Sequence, residues 1–193
     1  TMLDLTPYQG DLDQALAQAR LAGVSKFMGI SVDLDDHIQL SQIASRHVDV
    51  GYTVGVHPCD DEQTMARATT AYLVELAQSE KVWALCETCL DYYHSTDFIA
   101  AQKQCFARHI QASKIIKKPV VVHTRSAKHD TVDIIKTEQS THGILHCFTE
   151  DWETAKAVLD CGYYISFSGI ISFKNAQDLR DVAKQVPLDR VLI

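Results

Sequence analysis

The sequence lacks any long apolar run and any excess of positive charge. Of its 193 residues, 18 are Lys or Arg and 25 are Asp or Glu, which gives a formal net charge of −7. No apolar run approaches the roughly 20 residues that a helix needs to cross a bilayer, so no membrane span is predicted. The charge argues against a protein that binds nucleic acid through bulk positive charge, but it leaves room for an enzyme with local positive charge on metal ions and a few basic side chains.

The start of the chain carries no basic segment followed by an apolar stretch, so no secretory signal is visible there. The six cysteines are scattered through periodic segments instead of forming a disulfide framework. This distribution indicates reduced thiols and predicts a cytoplasmic protein.

Short apolar runs alternate with longer segments of helical periodicity along the whole chain. This alternation predicts parallel strands joined by helical crossovers, in a single α/β domain spanning residues 1–193. A doubly wound sheet and a barrel both fit the alternation. One Ala-rich helix is predicted from about Met65 to Gln78. Seven strands are predicted, at Val24–Ile30, Val50–Val56, Val82–Leu85, Pro119–Val122, Gly143–Leu145, Tyr163–Phe167 and Arg190–Ile193.

Four successive apolar runs end in a residue that could bind a metal, namely His57, Glu87, His123 and His146. Each has a simpler interpretation, since a lone His at a strand end is usually hydrogen-bonded, and Glu87 could merely pair with Arg125. In a (β/α)8 barrel, however, the carboxyl ends of all strands converge on one face, where the active site lies. Imidazole and carboxylate suit a catalytic Zn²⁺ or a similar ion. The pattern therefore favours a barrel with a metal or acid–base site.

Several segments together resemble the TatD-type metal-dependent deoxyribonucleases, a family of amidohydrolase-like TIM barrels. The resemblance runs from near Leu3 to Ile193 and is greatest for the branch that contains a Tyr-Tyr pair. The segments that carry it are Val56-His57-Pro58, Glu87-Thr88-Cys89-Leu90-Asp91-Tyr92-Tyr93, Pro119-Val-Val-Val-His123-Thr-Arg125, Leu145-His146-Cys147-Phe148-Thr149 and Phe167-Ser168-Gly169.

The resemblance implies a hydrolase that uses divalent metal ions (Mg²⁺, Mn²⁺ or Zn²⁺), two in an intact site. It makes Glu87, His123 and His146 the metal ligands, with Glu87 also catalytic, and places His57 and Arg125 beside the substrate, near a phosphate. The implied activity is 3′–5′ exonuclease cleavage of phosphodiester bonds by metal-activated water, acting on DNA ends or single strands. Recognition is expected to act mainly through the DNA backbone, because no aromatic stacking platform stands out in the sequence.

The sequence departs from the family pattern at both ends and around Glu87. The family's His-x-His ligand pair and its Asp ligand are expected before and after this chain, so the barrel is predicted to lack strand 1 and the end of strand 8. Cys86 and Cys89 stand where the family commonly has glycine. The alternative functions are a metal hydrolase of another ester or amide, such as D-aminoacyl-tRNA, and an inactive fragment that only binds. No protein partner is predicted.

Overall fold

A computed structural model of the chain describes residues 2–3, 12–57, 61–94 and 96–193, with the backbone alone at residues 2, 3 and 89. Two of the motif positions named above, Pro58 and the side chain of Cys89, lie outside the described residues. Within the described ranges, no helix combines the length and the apolar character needed to cross a bilayer.

In the described part of the chain, eight parallel strands form one sheet, in which they pair in the order of the chain, with β1 and β8 at its two ends. Parallel strands in sequential order with helical crossovers are the pattern of the (β/α)8 barrel, as the sequence predicts. The strands are β1 (Met2–Leu3), β2 (Phe27–Gly29), β3 (Val50–Val54), β4 (Val82–Asp91), β5 (Val120–Arg125), β6 (Gly143–Leu145), β7 (Tyr164–Ser166) and β8 (Val191–Leu192).

The connections between the strands are helical and cover one face of the sheet. Their buried side chains pack against the outward-facing residues of the strands in two large apolar clusters. The α-helices are α1 (Leu12–Leu21), α2 (Asp36–Arg46), α3 (Glu62–Arg67), α4 (Thr70–Leu76), α5 (Ile99–Ile116), α6 (Lys128–Thr137), α7 (Trp152–Leu159) and α8 (Gln177–Ala183). Short 3-10 helices follow β7, at Gly169–Ser172, and precede β8, at Leu188–Arg190.

A first strand is present, contrary to the prediction that the barrel lacks strand 1. Met2 and Leu3 form a two-residue strand that pairs in parallel with Met28 and Gly29 of β2. Two residues are too few to show the alternation of apolar and polar side chains by which a strand is recognised in a sequence. The last strand, β8, is equally short.

The single helix predicted from Met65 to Gln78 is wrong, because two helices occupy that segment. The α3 helix ends at Arg67, and α4 begins at Thr70. The side-chain oxygen of Thr69 accepts a hydrogen bond from the backbone N–H of Tyr72 at 3.2 Å, which is the geometry of a helix N-cap. A threonine cap inside an Ala-rich periodic segment therefore starts a new helix.

A third and smaller apolar cluster lies on the opposite, inner face of the sheet. Its members come from four strands or the residues directly after them, and they alternate with the outward-facing residues that pack against helices. They are Ala84, Cys86 and Val121, with Met28, Ile30 and Ile144 partly buried against them. The members of this cluster show which side chains of these four strands face the interior of the barrel.

Candidate active site

The five residues predicted to form the site all lie in the carboxyl-terminal halves of neighbouring strands or just beyond them. His57 follows β3, Glu87 lies in β4, His123 and Arg125 lie in β5, and His146 follows β6. Since the strands are parallel, these ends lie together at one end of the barrel. The sequence-based placement of the site on the carboxyl-terminal face is therefore supported by the topology.

Strand alternation directs three of these side chains inward. In β5, His123 and Arg125 are two and four residues beyond the inward-facing Val121. His146 is two residues beyond Ile144, which belongs to the same inner cluster. Because successive side chains of a strand point to opposite faces, the two histidines and the arginine lie on the inner side, above the small apolar cluster.

Glu87 would face outward if β4 were regular, because Cys86 belongs to the inner cluster and Leu85 to an outer one. The pairing of β4 with β5 changes register between Leu85 and Thr88, and this irregularity breaks the alternation at Glu87. Irregularities of this kind occur beside active sites, where they redirect a side chain. Glu87 is near enough to His57 for their charges to interact, which places its carboxyl group on the side of the other site residues.

Burial changes the protonation of the acidic and basic groups in the site. It raises the pKa of Glu87, and the nearby His57 partly opposes this effect. Burial lowers the pKa of both His123 and His146. The two imidazoles are therefore held in the neutral form that binds metal ions.

His123 is the centre of the group. Its ring centroid lies 6.4 Å from that of His57, and its Nε2 atom lies 3.9 Å from Oδ2 of Asp91. After burial, the largest influence on its pKa is Asp91, which raises it, while His57, His146 and Arg125 each lower it. The predicted site residues thus share one neighbourhood, although they are far apart in sequence.

By donor chemistry this set fits a divalent metal ion, since it offers one carboxylate and two neutral imidazoles. No side chain among the described residues donates a hydrogen bond to the Glu87 carboxylate, which leaves its oxygens available to a cation. In the described part of the chain, no group of three or more His, Cys, Asp or Glu side chains is arranged so that it could hold an ion. A shared ion on Glu87, His123 and His146 therefore stays a prediction.

Asp91 is a residue of the site that the sequence analysis quoted without a role. Its side chain is 2% exposed, and Oδ1 accepts hydrogen bonds from the backbone N–H groups of Tyr93 (2.9 Å) and His94 (3.0 Å). Oδ2 lies 2.7 Å from Nδ1 of His94. Burial raises the pKa of Asp91, but the hydrogen bonds from His94 and Tyr93 outweigh it and leave the pKa lowered. A buried carboxylate thus connects His94 with the neighbourhood of His123.

Tyr93 is the second residue that the sequence analysis missed. The guanidinium carbon of Arg125 lies 3.9 Å from the centroid of the Tyr93 ring, and the His94 ring meets that ring edge-on at 5.2 Å. Tyr93 is nevertheless 65% exposed. Recognition mainly through the DNA backbone stays a prediction. The signal in the sequence was an aromatic pair just after a strand end, beside a motif Arg on the next strand.

Comparison with known proteins gives consistent matches over the whole chain. A family model described as "TatD related DNase" matches residues 1–193. An "uncharacterized metal-dependent hydrolase" of Escherichia coli K12, YcfH, is 41% identical over 193 residues, covering 99% of this chain and 72% of the relative. The Bacillus subtilis protein YabD, of the same description, is 31% identical over 99% of this chain and 75% of its own length.

Solved structures confirm the fold. The chain is similar to the Escherichia coli TatD homologue YjjV, with a TM-score of 0.86 at 23% identity, over 97% of this chain and 73% of that one. It is also similar to a TatD-family hydrolase of Entamoeba histolytica, with a TM-score of 0.84 at 23% identity, over 98% and 70% of the two chains. At these identities the structural likeness shows the fold alone.

Proposed function

The chain belongs to the TatD-related DNase family of metal-dependent hydrolases, and from this premise we propose that its substrate is DNA, which it shortens from the 3′ end of a single strand. The observation that carries the proposal is the grouping of His57, Glu87, His123, Arg125 and His146 at the carboxyl ends of neighbouring strands. This set combines metal-binding donors with a cation suited to phosphate.

The proposed metal ligands are Glu87, His123 and His146. A divalent ion bound there supplies Lewis-acid chemistry, because it polarises a phosphoryl oxygen and lowers the pKa of water. The chain's own contribution is to present one carboxylate from β4 and neutral imidazoles from β5 and β6, fixed by strands whose register is set by backbone hydrogen bonds.

Arg125 is the proposed phosphate contact. Its guanidinium carries planar paired N–H donors that match two phosphate oxygens. It lies on the same side of β5 as His123, so a phosphodiester held by Arg125 would lie beside the metal ligands. His57, from the adjacent β3 end, interacts electrostatically with both Glu87 and His123 and would line the same space. These two residues bind and orient the substrate in this proposal.

The cellular location that we propose is the cytoplasm. In the described part of the chain, the thiols of Cys86, Cys147 and Cys161 are free. Cys86 is buried, and burial raises the pKa of its thiol well above the usual value, so it is an unreactive side chain of the inner cluster. Free thiols of this kind are typical of a reducing compartment.

A panel of substrates tests the proposed function. The full-length protein, supplied with Mg²⁺ or Mn²⁺, is incubated with single-stranded DNA labelled at its 5′ end, with D-aminoacyl-tRNA and with simple carboxyl esters. We expect progressive shortening of the DNA and no comparable turnover of the other compounds, because the site pairs metal donors with a guanidinium suited to phosphate. Gel electrophoresis of the labelled DNA gives the product ladder. Efficient deacylation or ester hydrolysis with intact DNA would replace the proposal by the alternative hydrolase function.

A further inference from the structure

Tyr93 is held in an unusual position for an aromatic side chain. It follows β4 directly after Tyr92, and its backbone N–H is fixed by the buried carboxylate of Asp91. The guanidinium carbon of Arg125 lies over its ring, and the His94 ring stands perpendicular to it with the two ring centroids 5.2 Å apart. With those two contacts in place the residue is still 65% exposed. Much of Tyr93 is therefore open to the solvent beside the candidate active site.

The stack on Tyr93 leaves the binding groups of Arg125 free. A guanidinium that lies flat over an aromatic ring uses its π face, whereas its N–H donors point outward in the plane. Among the described residues, Arg125 makes no side-chain hydrogen bond or ion pair. Arg125 can thus contact a phosphate while it remains stacked on Tyr93.

We propose that Tyr93 is a base-stacking platform for the nucleotide next to the scissile phosphate. This inference rests on the proposed function and deepens it, because it explains how the site would select an unpaired DNA end. In a duplex the base is already stacked and paired, so only a frayed or single-stranded end can place a base against the exposed Tyr93 ring. Arg125 holds the phosphate of that nucleotide, and the two side chains act as one unit.

The local charges favour a base over a second phosphate on the exposed part of the Tyr93 ring. The Asp91 carboxylate accepts a hydrogen bond from the backbone N–H of Tyr93 and is an acidic group next to this residue. An aromatic ring has a negative face that repels a phosphate but stacks with any nucleobase. Stacking is tolerant of sequence, so the platform should recognise the presence of a base and not its identity.

The test compares two DNA substrates that differ only in the presence of bases at the 3′ end. One is an ordinary single strand, and the other has abasic residues as its last two nucleotides. In the full-length protein with Mn²⁺, Tyr93→Leu should lower kcat/KM for the ordinary strand about tenfold and leave the abasic strand almost unchanged, since stacking of one base is worth about that much. Tyr93→Phe and Tyr93→Trp should keep the preference for the ordinary strand.

A matched control exists at the opposite end of the strands. Tyr164, the first residue of β7, also lies under a guanidinium, with the carbon of Arg190 at 5.0 Å from its ring centroid, and it is 38% exposed. Tyr164→Leu should leave both substrates unaffected. Tyr93→Gln provides a second non-aromatic variant, and thermal melting of each protein checks its fold.

The outcomes separate this inference from the function on which it rests. If the wild-type protein shortens DNA and Tyr93→Leu slows both substrates equally, Tyr93 only positions Arg125, and the platform is wrong while the nuclease proposal stands. If Tyr93→Leu leaves kcat/KM unchanged for both substrates, the platform is also wrong, and the nuclease proposal again stands. If the wild-type protein leaves every DNA substrate intact, the proposed function and the platform both fail.

Discussion

Glu87→Gln is expected to lower kcat/KM for the shortening of single-stranded DNA by roughly a thousandfold, because a metal ion held by Glu87, as we propose, would supply several kcal/mol of transition-state stabilisation. Gln has the shape of Glu but lacks the negative charge that attracts a cation. The backbone of Glu87 stays hydrogen-bonded to the carbonyl of Ser31, so the strand should keep its position. The measurement is a time course of DNA shortening at several Mn²⁺ concentrations.

The control for this variant is Glu80→Gln. Glu80 is exposed and lies just before the amino end of β4, the strand that carries Glu87 in its second half. This change should leave the rate at the wild-type level. Circular dichroism and thermal melting of both variants check the fold. DNA shortening by Glu87→Gln at more than a tenth of the wild-type rate would show that Glu87 is not a ligand of the reactive metal.

The free energy of unfolding is expected to fall in weak acid because of the buried His109 in α5. His109 in α5 is 0% exposed, and its pKa is lowered from 6.5 to about 4 by burial, which the hydrogen bond to the Cys105 carbonyl only partly opposes. Its Nδ1–H donates to that carbonyl at 2.8 Å, and its Nε2 accepts the backbone N–H of Val56 at 3.3 Å. Gly55 permits this close approach, since a Cβ there would lie 3.0 Å from Nε2 and 2.4 Å from the Cys86 carbonyl oxygen.

The direction of the pH effect follows from these contacts. The folded protein holds His109 neutral, whereas the unfolded chain takes up a proton below pH 6.5. The stabilisation is therefore complete above pH 6.5 and is lost as the pH falls towards 4, by about 3 kcal/mol in the free energy of unfolding. Protonation of Nε2 would also remove the hydrogen bond that it accepts from the Val56 N–H, next to His57. The segment after β3 should therefore lose its structure first.

Urea denaturation between pH 4 and pH 8 measures this effect, with His109→Gln as the comparison. Gln has no titrating group, so the variant should lose markedly less stability than the wild type between pH 6.5 and pH 4. The exposed His142, in the turn before β6, provides the control, and His142→Gln should follow the wild-type curve. Parallel curves for the wild type and His109→Gln would mean that His109 does not resist protonation in the folded state.

The sequence predicted those features of the fold that depend on local periodicity. The buried strands β3 and β6 were found within two residues of their observed bounds, because their apolar runs are continuous and are bounded by polar turns. The break between α3 and α4 was missed because Thr69 can be read either as a helical residue or as a cap. The two-residue β1 was missed because its strand conformation depends on pairing with β2, which is a long-range contact.

The sequence predicted those residues of the candidate site whose position follows from the end of a strand. His57, Glu87, His123 and His146 were identified because parallel strands bring their carboxyl ends together, whereas Arg125 was identified from the family resemblance. Their roles as ligands and substrate contacts stay predictions. The register change that redirects Glu87 could not be read from the sequence, since it arises in the pairing of β4 with β5.

The contacts of Asp91 and Tyr93 were not predictable for the same reason. Asp91 approaches His123, and Tyr93 stacks with Arg125, across two neighbouring strands. Both contacts depend on how far β4 and β5 extend together, with Asp91 paired to Arg125 in the ladder. The predicted strands ended at Leu85 and Val122, so this part of the ladder was missing from the sequence-based picture.

Anomalous X-ray scattering from crystals of the full-length protein grown with Mn²⁺ tests the central claim most directly. The account predicts an anomalous peak at the carboxyl ends of β4, β5 and β6, within coordination distance of the Glu87 carboxylate and of the His123 and His146 imidazoles, and the loss of that peak in Glu87→Gln. A Mn²⁺ ion bound elsewhere in the barrel, with these three side chains not coordinating it, would contradict the account.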